Sequence, residues 1–495
     1  MIPEQILKTI CEAYSIDSEK VVDYPSSFVE SGGGQFVLCS VDGTKKILAT
    51  GKGAFFSSLD GDHLSETIKL CPLSHRNRLT INQFLPYTLP TAFGKKTATL
   101  GLGDRLGLAT PGHIRCFKNT AAKPVLAQQS KRELDLTGRT YEQVLDDVCF
   151  AVFQEGYRGG FGADGDHLKK PEDIREALDS GYTMITLDCS EKIGRGIEGF
   201  NAEDIAGAYE KLPQEYRSRI EAVYLSKCFP IGERNYSFRK EELMRCALIY
   251  CEAIEFTKEV YHSLLKKAER AIDFELSIDE TESVTTAQDH LFVAMELEHG
   301  GVDVTSLAPR FIGEFQKGID YIGDAAEFED QLKQHAAIAK HFGYKLSIHS
   351  GSDKFSVFPA IGTHTEGLLH LKTSGTNWLE AVGTIAEKNP PLYRRIHEKA
   401  LRHFAEAKAY YHVSGEPSKV EDPAGRTDDS LVGYLADPDS RQLLHITYGF
   451  ILRDPALRGE LYRTLLENEE HYYSRLSAHI GCHMELLNLT GKEDE

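Results

Sequence analysis

From residue 97 to residue 373 the chain alternates short strand-like runs with longer helical ones, and that rhythm limits the folds open to it. The strand candidates are Thr97–Asp104, Pro124–Ser130, Gly159–Asp166, Tyr182–Asp188, Ile272–Asp279, Val302–Ala308, Lys345–His349 and Leu368–Thr373. Helical stretches such as Thr140–Gln154, Pro171–Ser180, Arg239–Ala268 and Glu327–His341 fall between them. Strands separated by helices argue for a parallel sheet with crossover connections. Eight such strands close naturally into a (β/α)8 barrel, with an open doubly wound sheet as the competing solution.

The flanks read differently. Residues 1–95 hold short strand pieces, Gln35–Cys39 and Lys46–Thr50, broken by the glycines 32–34, which reads as a small α/β cap. The barrel is expected over 96–380. The stretch 201–268 is too long for one crossover and is expected to add helices over one end. Residues 381–495 read as appended helices, ending in a short acidic tail at 492–495.

Composition excludes several classes. The formal charge of -19, without a basic run, argues against nucleic acid and anionic membrane as partners. No apolar stretch of about 18 residues is present, so no membrane span is expected. The start of the chain lacks the basic and apolar regions of a signal peptide. None of the ten cysteines forms a CxxC pair, which suits reduced thiols in the cytoplasm better than a disulfide framework or structural zinc. A soluble acidic enzyme for a small molecule is the expectation; homo-oligomerisation stays open.

In a barrel of this kind reactive groups sit at the carboxyl ends of the strands, and polar residues accumulate there. Strand one ends in Asp104-Arg105 and strand two in Gln128-Gln-Ser130. Strand three delivers Asp164, Asp166 and His167, where alternation puts the two aspartates on one face and turns the histidine away. Strand four ends at Asp188, and strand five in Asp279, Glu280 and Glu282. Strand six leads to Arg310 and Glu314, strand seven to His349, Ser350 and Lys354, and strand eight to Lys372, Thr373 and Ser374.

Each group has a bland reading beside the chemical one. Asp104-Arg105 can be a buried ion pair, and the acids at 279–282 can cap a helix. A lone histidine after a strand is more often a structural hydrogen-bonding residue than a ligand. The coincidence of the set favours chemistry. Histidine with carboxylates suits zinc, manganese, cobalt, nickel or iron. Arg310, Lys354 and Lys372 offer a clamp for a substrate carboxylate, and the hydroxyls of Ser347, Ser350, Ser352, Thr373 and Ser374 suit a sugar.

The runs Gly103–His113, Phe161–Lys169, Phe274–Thr281, Leu307–Gly318, Leu346–Phe355 and Leu371–Thr376 resemble the tagaturonate epimerase family of hexuronate catabolism. The resemblance implies a divalent-metal enzyme that interconverts D-tagaturonate and D-fructuronate. Mapped onto these runs, it implies Asp166 and Glu280 as the acid/base pair. His167, His349 and Glu314, or else Asp279, become the metal ligands. Asp104, Arg105, Asp164, Arg310, Ser350, Lys354 and Lys372 become substrate contacts.

The chemistry constrains the route independently. Counting the ketone as C2 and the carboxylate as C6, the two acids differ at C4, whose hydrogen is next to neither group and is not acidic. Retro-aldol cleavage between C3 and C4, with the ion as Lewis acid, followed by rotation and re-addition, inverts C4. It needs two positioned proton-transfer groups. Transient oxidation at C4 is the alternative, but no dinucleotide fingerprint follows a strand. Rival activities are a 4-epimerase of neutral ketohexoses and another metal-dependent sugar isomerase or aldolase. A non-enzymatic sugar-acid sensor fits less well, because it has no need of carboxylates at so many strand ends.

Overall fold

A computed structural model gives the structure of the chain and describes residues 2–373 and 375–491. Ser374 and the acidic tail at 492–495 therefore lie outside the described residues.

The eight expected strands are the eight staves of a closed barrel: β1 (Thr99–Leu102), β2 (Lys123–Ser130), β3 (Gly162–Leu168), β4 (Met184–Asp188), β5 (Asp273–Ile278), β6 (Ser306–Pro309), β7 (Lys345–Ile348) and β8 (Leu369–Thr373). Each pairs in parallel with its neighbour in chain order, and β8 returns to β1. Closure removes the free edges an open sheet would keep. Helices expected at 140–154, 171–180 and 327–341 form at Tyr141–Glu155, Pro171–Ser180 and Ala325–Phe342. Thr140 opens the first of these with a reciprocal capping box to Gln143, and Gly156 closes it at φ 56°.

Outward-facing apolar residues of the staves, among them Leu126, Ile185, Leu276 and Leu346, are buried under the helical ring. Inward positions carry polar groups at the upper end, the face where barrels of this kind carry their sites.

The first 95 residues hold a five-stranded antiparallel sheet in which Val21–Ser31, Gly34–Val41, Thr44–Gly51, Ile68–Pro72 and Asp62–Ser65 lie side by side in that order. The first turn pairs Ser31 with Gly34 across Gly32 and Gly33, whose φ values of 53° and 81° match the twist of a tight hairpin. Between β4 and β5 the chain forms Ala202–Tyr209, Gln214–Tyr224, a hairpin of Phe229–Ile231 with Arg234–Tyr236, and the long helix Lys240–Ser263. The two shorter helices pack on the long one.

After β8 the helix Thr376–Lys388 completes the ring, and further helices run to Leu486. A second core forms there around Trp378, Tyr393, Tyr448 and Tyr472. Trp378 also donates from its indole nitrogen to the Leu444 carbonyl at 2.9 Å, so the buried ring leaves no polar atom unpaired. A loop of this layer brings Tyr410, Tyr411 and His412 over the barrel mouth. All ten cysteines are free, and no helix among the described residues is long and apolar enough to cross a membrane.

Candidate active site

The carboxyl ends of the staves surround a cavity of about 710 Å³, a size that suits a small ligand. At its floor the Lys372 ammonium, 3% exposed, is the hub of a buried ionic network. It reaches Asp166 at 2.5 Å, Asp164 at 2.9 Å and Glu275 at 3.1 Å, and donates to the Thr186 hydroxyl at 2.5 Å. Thr186 in turn donates to Asp164 at 3.0 Å, and the Ser306 hydroxyl donates to Glu275 at 2.5 Å. Burying an ammonium is costly on its own, but three carboxylates outweigh that cost and raise the Lys372 pKa well above its usual value.

Those acids split. Burial pushes Asp164 up to about 6 despite Lys372. For Asp166 burial works in the same direction, but Lys372 and His167 outweigh it and hold the carboxyl well below the usual range. Glu275 is also held low, against its burial, by Lys372, His370 and His349.

Above this floor two imidazoles face each other, with the His167 and His349 ring centres 4.9 Å apart. His167 gets there by backbone geometry. Its φ is 52°, and the pairing of β3 with β4 slips between Gly165 and Leu168. This bulge re-aims a side chain that strict alternation would send outward. His349 donates from Nε2 to Glu275 at 2.7 Å, and its Nδ1 lies 3.3 Å from Asp279. The His167 Nδ1 lies 3.5 Å from Asp188. Burial disfavours the His349 imidazolium, yet Asp279 and Glu275 push it up to about 10. Asp279 falls to about 2 because His349 overrides its burial, and Asp188 is likewise held low by His167.

The Nδ1 atoms of both histidines are buried and make no hydrogen bond. Their spacings from the carboxylates, 3.3 and 3.5 Å, are close to that of two donors on one tetrahedral ion, since ligand atoms about 2.0–2.1 Å from a metal lie about 3.3–3.4 Å apart in that geometry. His167, Asp188 and Glu280 also place one donor atom each within 4.8 Å of one another. The residues at the mouth therefore fit a divalent ion.

The twelve residues singled out from sequence separate into three groups. Asp166, His167, His349, Ser350, Lys372 and Glu280 meet around the cavity, with Glu280 at its rim, 3.8 Å from the Lys169 ammonium. Arg105, Arg310 and Glu314 also line it but are engaged elsewhere. Arg105 donates twice to Glu133, at 2.9 and 2.7 Å, and stacks on Tyr448 at 3.8 Å. Arg310 donates to the Thr281 carbonyl. Glu314 accepts from Gln316, pairs with His412 at 3.3 Å and is half exposed, so it does not meet the two imidazoles.

Asp104, Asp164 and Lys354 do not line the cavity. Asp104 accepts the backbone N–H groups of Leu106, Gly107 and Ala109 at 2.7–3.0 Å and shapes the loop after β1. Asp164 sits beneath, on Lys372. Lys354, wholly buried, donates to the carbonyls of Gln316, Ile319 and Ser352 at 2.9, 2.6 and 2.8 Å. Its ammonium braces the loop after β6 instead of opening to the cavity.

Sequence reasoning passed over Glu275, and named Asp188 only as a strand end. Both carry a signal: Asp273, Glu275 and Ser277 recur at every second residue of β5, as do Thr186 and Asp188 in β4, and Asp279 continues the spacing one step beyond β5. It also passed over Lys317 and Arg132, which line the cavity.

The sequence profile of the UxaE tagaturonate epimerase family matches residues 24–487. A tagaturonate/fructuronate epimerase of Thermotoga maritima is 41% identical over 470 residues, 94% of this chain and 96% of that protein. Crystal structures of a fructuronate-tagaturonate epimerase of Cohnella laeviribosi, native and with one glycerol, are 51% identical and superpose with a TM-score of 0.94 over 98% of this chain and all of theirs. The chain belongs to the tagaturonate epimerase family.

Proposed function

We propose that the protein interconverts D-tagaturonate and D-fructuronate by inverting C4 through retro-aldol cleavage and re-addition, with a divalent metal ion. One observation carries this reading beyond family membership. The buried His349 and the half-buried His167 each turn a Nδ1 atom that makes no hydrogen bond towards a carboxylate, Asp279 and Asp188 respectively, beside an ionised Asp166. His167, His349, Asp188 and Asp279 would hold the ion. When bound it supplies a Lewis acid for the ketone end of the sugar.

The chain's own groups handle the C4 end. Asp166 is ionised and accepts the C4 hydroxyl proton as the C3–C4 bond breaks, its electron pair passing to C3 and the C2 carbonyl while C4 becomes an aldehyde. The Lys372 ammonium, 2.5 Å from Asp166, favours the alkoxide that precedes cleavage. After the aldehyde turns its other face, Glu280 on the rim serves the opposite alkoxide. Lys372 is held as an ammonium by three acids, so it is not the free amine that Schiff-base aldol chemistry requires.

The test is incubation with D-tagaturonate in D2O followed by NMR. Fructuronate should form with protium retained at C4, because the C4–H bond is never broken. Deuterium at C4 would refute retro-aldol cleavage, and no fructuronate would refute the activity. Chelation should abolish turnover, and a divalent ion should restore it; full activity after chelation removes the metal from the proposal.

A further inference from the structure

We infer that Lys317, with Arg132 beside it, receives the carboxylate of the sugar acid and sets the preference for charged over neutral ketoses. This deepens the epimerase reading above and rests on it for the chemical class of the ligand.

The cavity is lined by several cations, and most are already satisfied. Lys372 has three acids, Arg105 has Glu133, Lys131 has Glu176 at 3.2 Å, and Lys169 has Asp188 at 3.4 Å. Arg310 is turned to a backbone carbonyl. Two lysines of the lining have no ion pair or hydrogen bond among the described residues: Lys170, which is exposed at the rim, and Lys317, which is partly buried on the loop after β6 and is the one enclosed enough to hold an anion. Arg132 likewise has no acid partner there. Its guanidinium lies 4.7 Å over the Tyr411 ring and donates only a long 3.4 Å bond to the Tyr410 carbonyl, which leaves donors free. Burial and the charges of Arg132 and Arg105 all disfavour the Lys317 ammonium, and an arriving anion relieves that strain.

The backbone under Lys317 is held on both sides. Lys354 ties down the carbonyls of Gln316 and Ile319, Arg441 donates to the Gly318 carbonyl at 2.6 Å, and Gln442 donates to that of Lys317 at 3.3 Å. The Gln316 side chain accepts from the backbone and hydroxyl of Ser414, at 2.8 and 2.9 Å. Gly318, at φ 77°, makes the turn that this requires. A flexible lysine on a braced loop loses less freedom when it binds, which is what a recognition cation needs. Lys354 is thus a positioning residue for Lys317. The site also matches the overall electrostatics: a chain of net charge -19 must place local cations wherever it admits an anion.

Calorimetric titration of the metal-loaded protein with D-tagaturonate and with D-tagatose, its uncharged counterpart, tests the assignment. Wild type should bind the acid more tightly. Lys317→Met should weaken binding of the acid about 10- to 100-fold, as expected for a lost charge-assisted contact, and change binding of tagatose by less than about threefold. Arg132→Gln should act in the same direction, and Lys317→Arg should retain most of the preference. Circular dichroism of each variant checks the fold. Equal weakening towards both sugars, no weakening in either variant, or a wild type with no preference for the acid would each overturn the inference. A protein that prefers the acid yet forms no fructuronate would fail the epimerase proposal while leaving the carboxylate site standing.

Discussion

Replacing Lys354 by Met removes a wholly buried ammonium and keeps most of its volume, so its effects come from charge and hydrogen bonding. Three carbonyl contacts at 2.6–2.9 Å are lost, each worth about 1.5–3 kcal/mol when charge-assisted. Against this stands the cost of burying the charge. Burial pushes the Lys354 pKa down to about 7, although Asp353 pulls the other way. From an unfolded value of about 10.4 that is a penalty of roughly 4–5 kcal/mol at pH below 7. The two contributions are of similar size, so at neutral pH the Met variant should lie within a few kcal/mol of wild type. The pH dependence separates them. A lysine whose pKa is lowered by folding binds fewer protons in the folded state between about pH 7 and 10.4. Wild-type stability therefore rises across that window relative to a variant without the group. With about 2.1 cal/mol/K of unfolding entropy per residue, 1 kcal/mol corresponds to about 1 °C in a chain of this length. The wild-type melting midpoint should gain about 4 °C on Lys354→Met between pH 7 and pH 10, measured by differential scanning fluorimetry. Parallel curves, or a gap that closes as pH rises, would refute the reasoning. The same variant should raise the ketouronate KM, because the loop carrying Lys317 loses its brace.

Other perturbations probe the network and the chemistry. Lys372→Met leaves Asp164, Asp166 and Glu275 without their shared cation and should destabilise the fold by about 3–5 kcal/mol, a drop of about 3–5 °C in the melting midpoint at pH 7.5. Asp166→Asn should lower kcat by about 10²- to 10⁴-fold while metal analysis of the purified variant stays near the wild-type value; metal loss would make Asp166 a ligand instead. Asp188→Ala and Asp279→Ala should each lower bound metal, and Glu314→Ala should not. The reverse pattern would return the metal-binding carboxylate to the loop after β6.

The sequence made the barrel legible because its signals are local. Apolar runs of strand length, Pro171 at a helix start and Gly181 at φ 108° at its end mark boundaries that do not depend on distant residues. The inward polar stripe of β5 carries a local signal of the same kind that was not used: residues two apart in a strand share a face wherever the strand packs. Glu275 could have been found by counting in twos through Asp273, Ser277 and Asp279. Under the metal site proposed above, the same rule favours Asp279 over Glu314, because a residue one step beyond a strand keeps its face.

Lys354 and Lys317 were not legible in this way, and the reason is physical. Lys354 lies only six residues beyond β7, which reads as a position at the mouth. Yet Ser350 and Asp353 take left-handed φ values of 49° and 59°, so the loop reverses and drives Lys354 inward. What stabilises the reversal is remote in sequence: Arg441 pairs with Asp353 at 2.8 Å, and His483 accepts the Asp353 N–H at 3.1 Å. A non-glycine residue adopts such backbone only where tertiary contacts over-determine it, and no local pattern announces contacts made 88 and 130 residues away. The appended helical layer therefore does more than cover the barrel. By fixing Asp353 it fixes Lys354, and by fixing Lys354 it fixes Lys317. Asp353→Asn should then weaken ketouronate binding without touching the ligand, and Arg441→Met should do the same through the opposite end of one ion pair. Combined, the two substitutions should cost little more than either alone, as expected for partners in one interaction. Full additivity in a double-mutant cycle on ketouronate affinity would break the chain of positioning at that link.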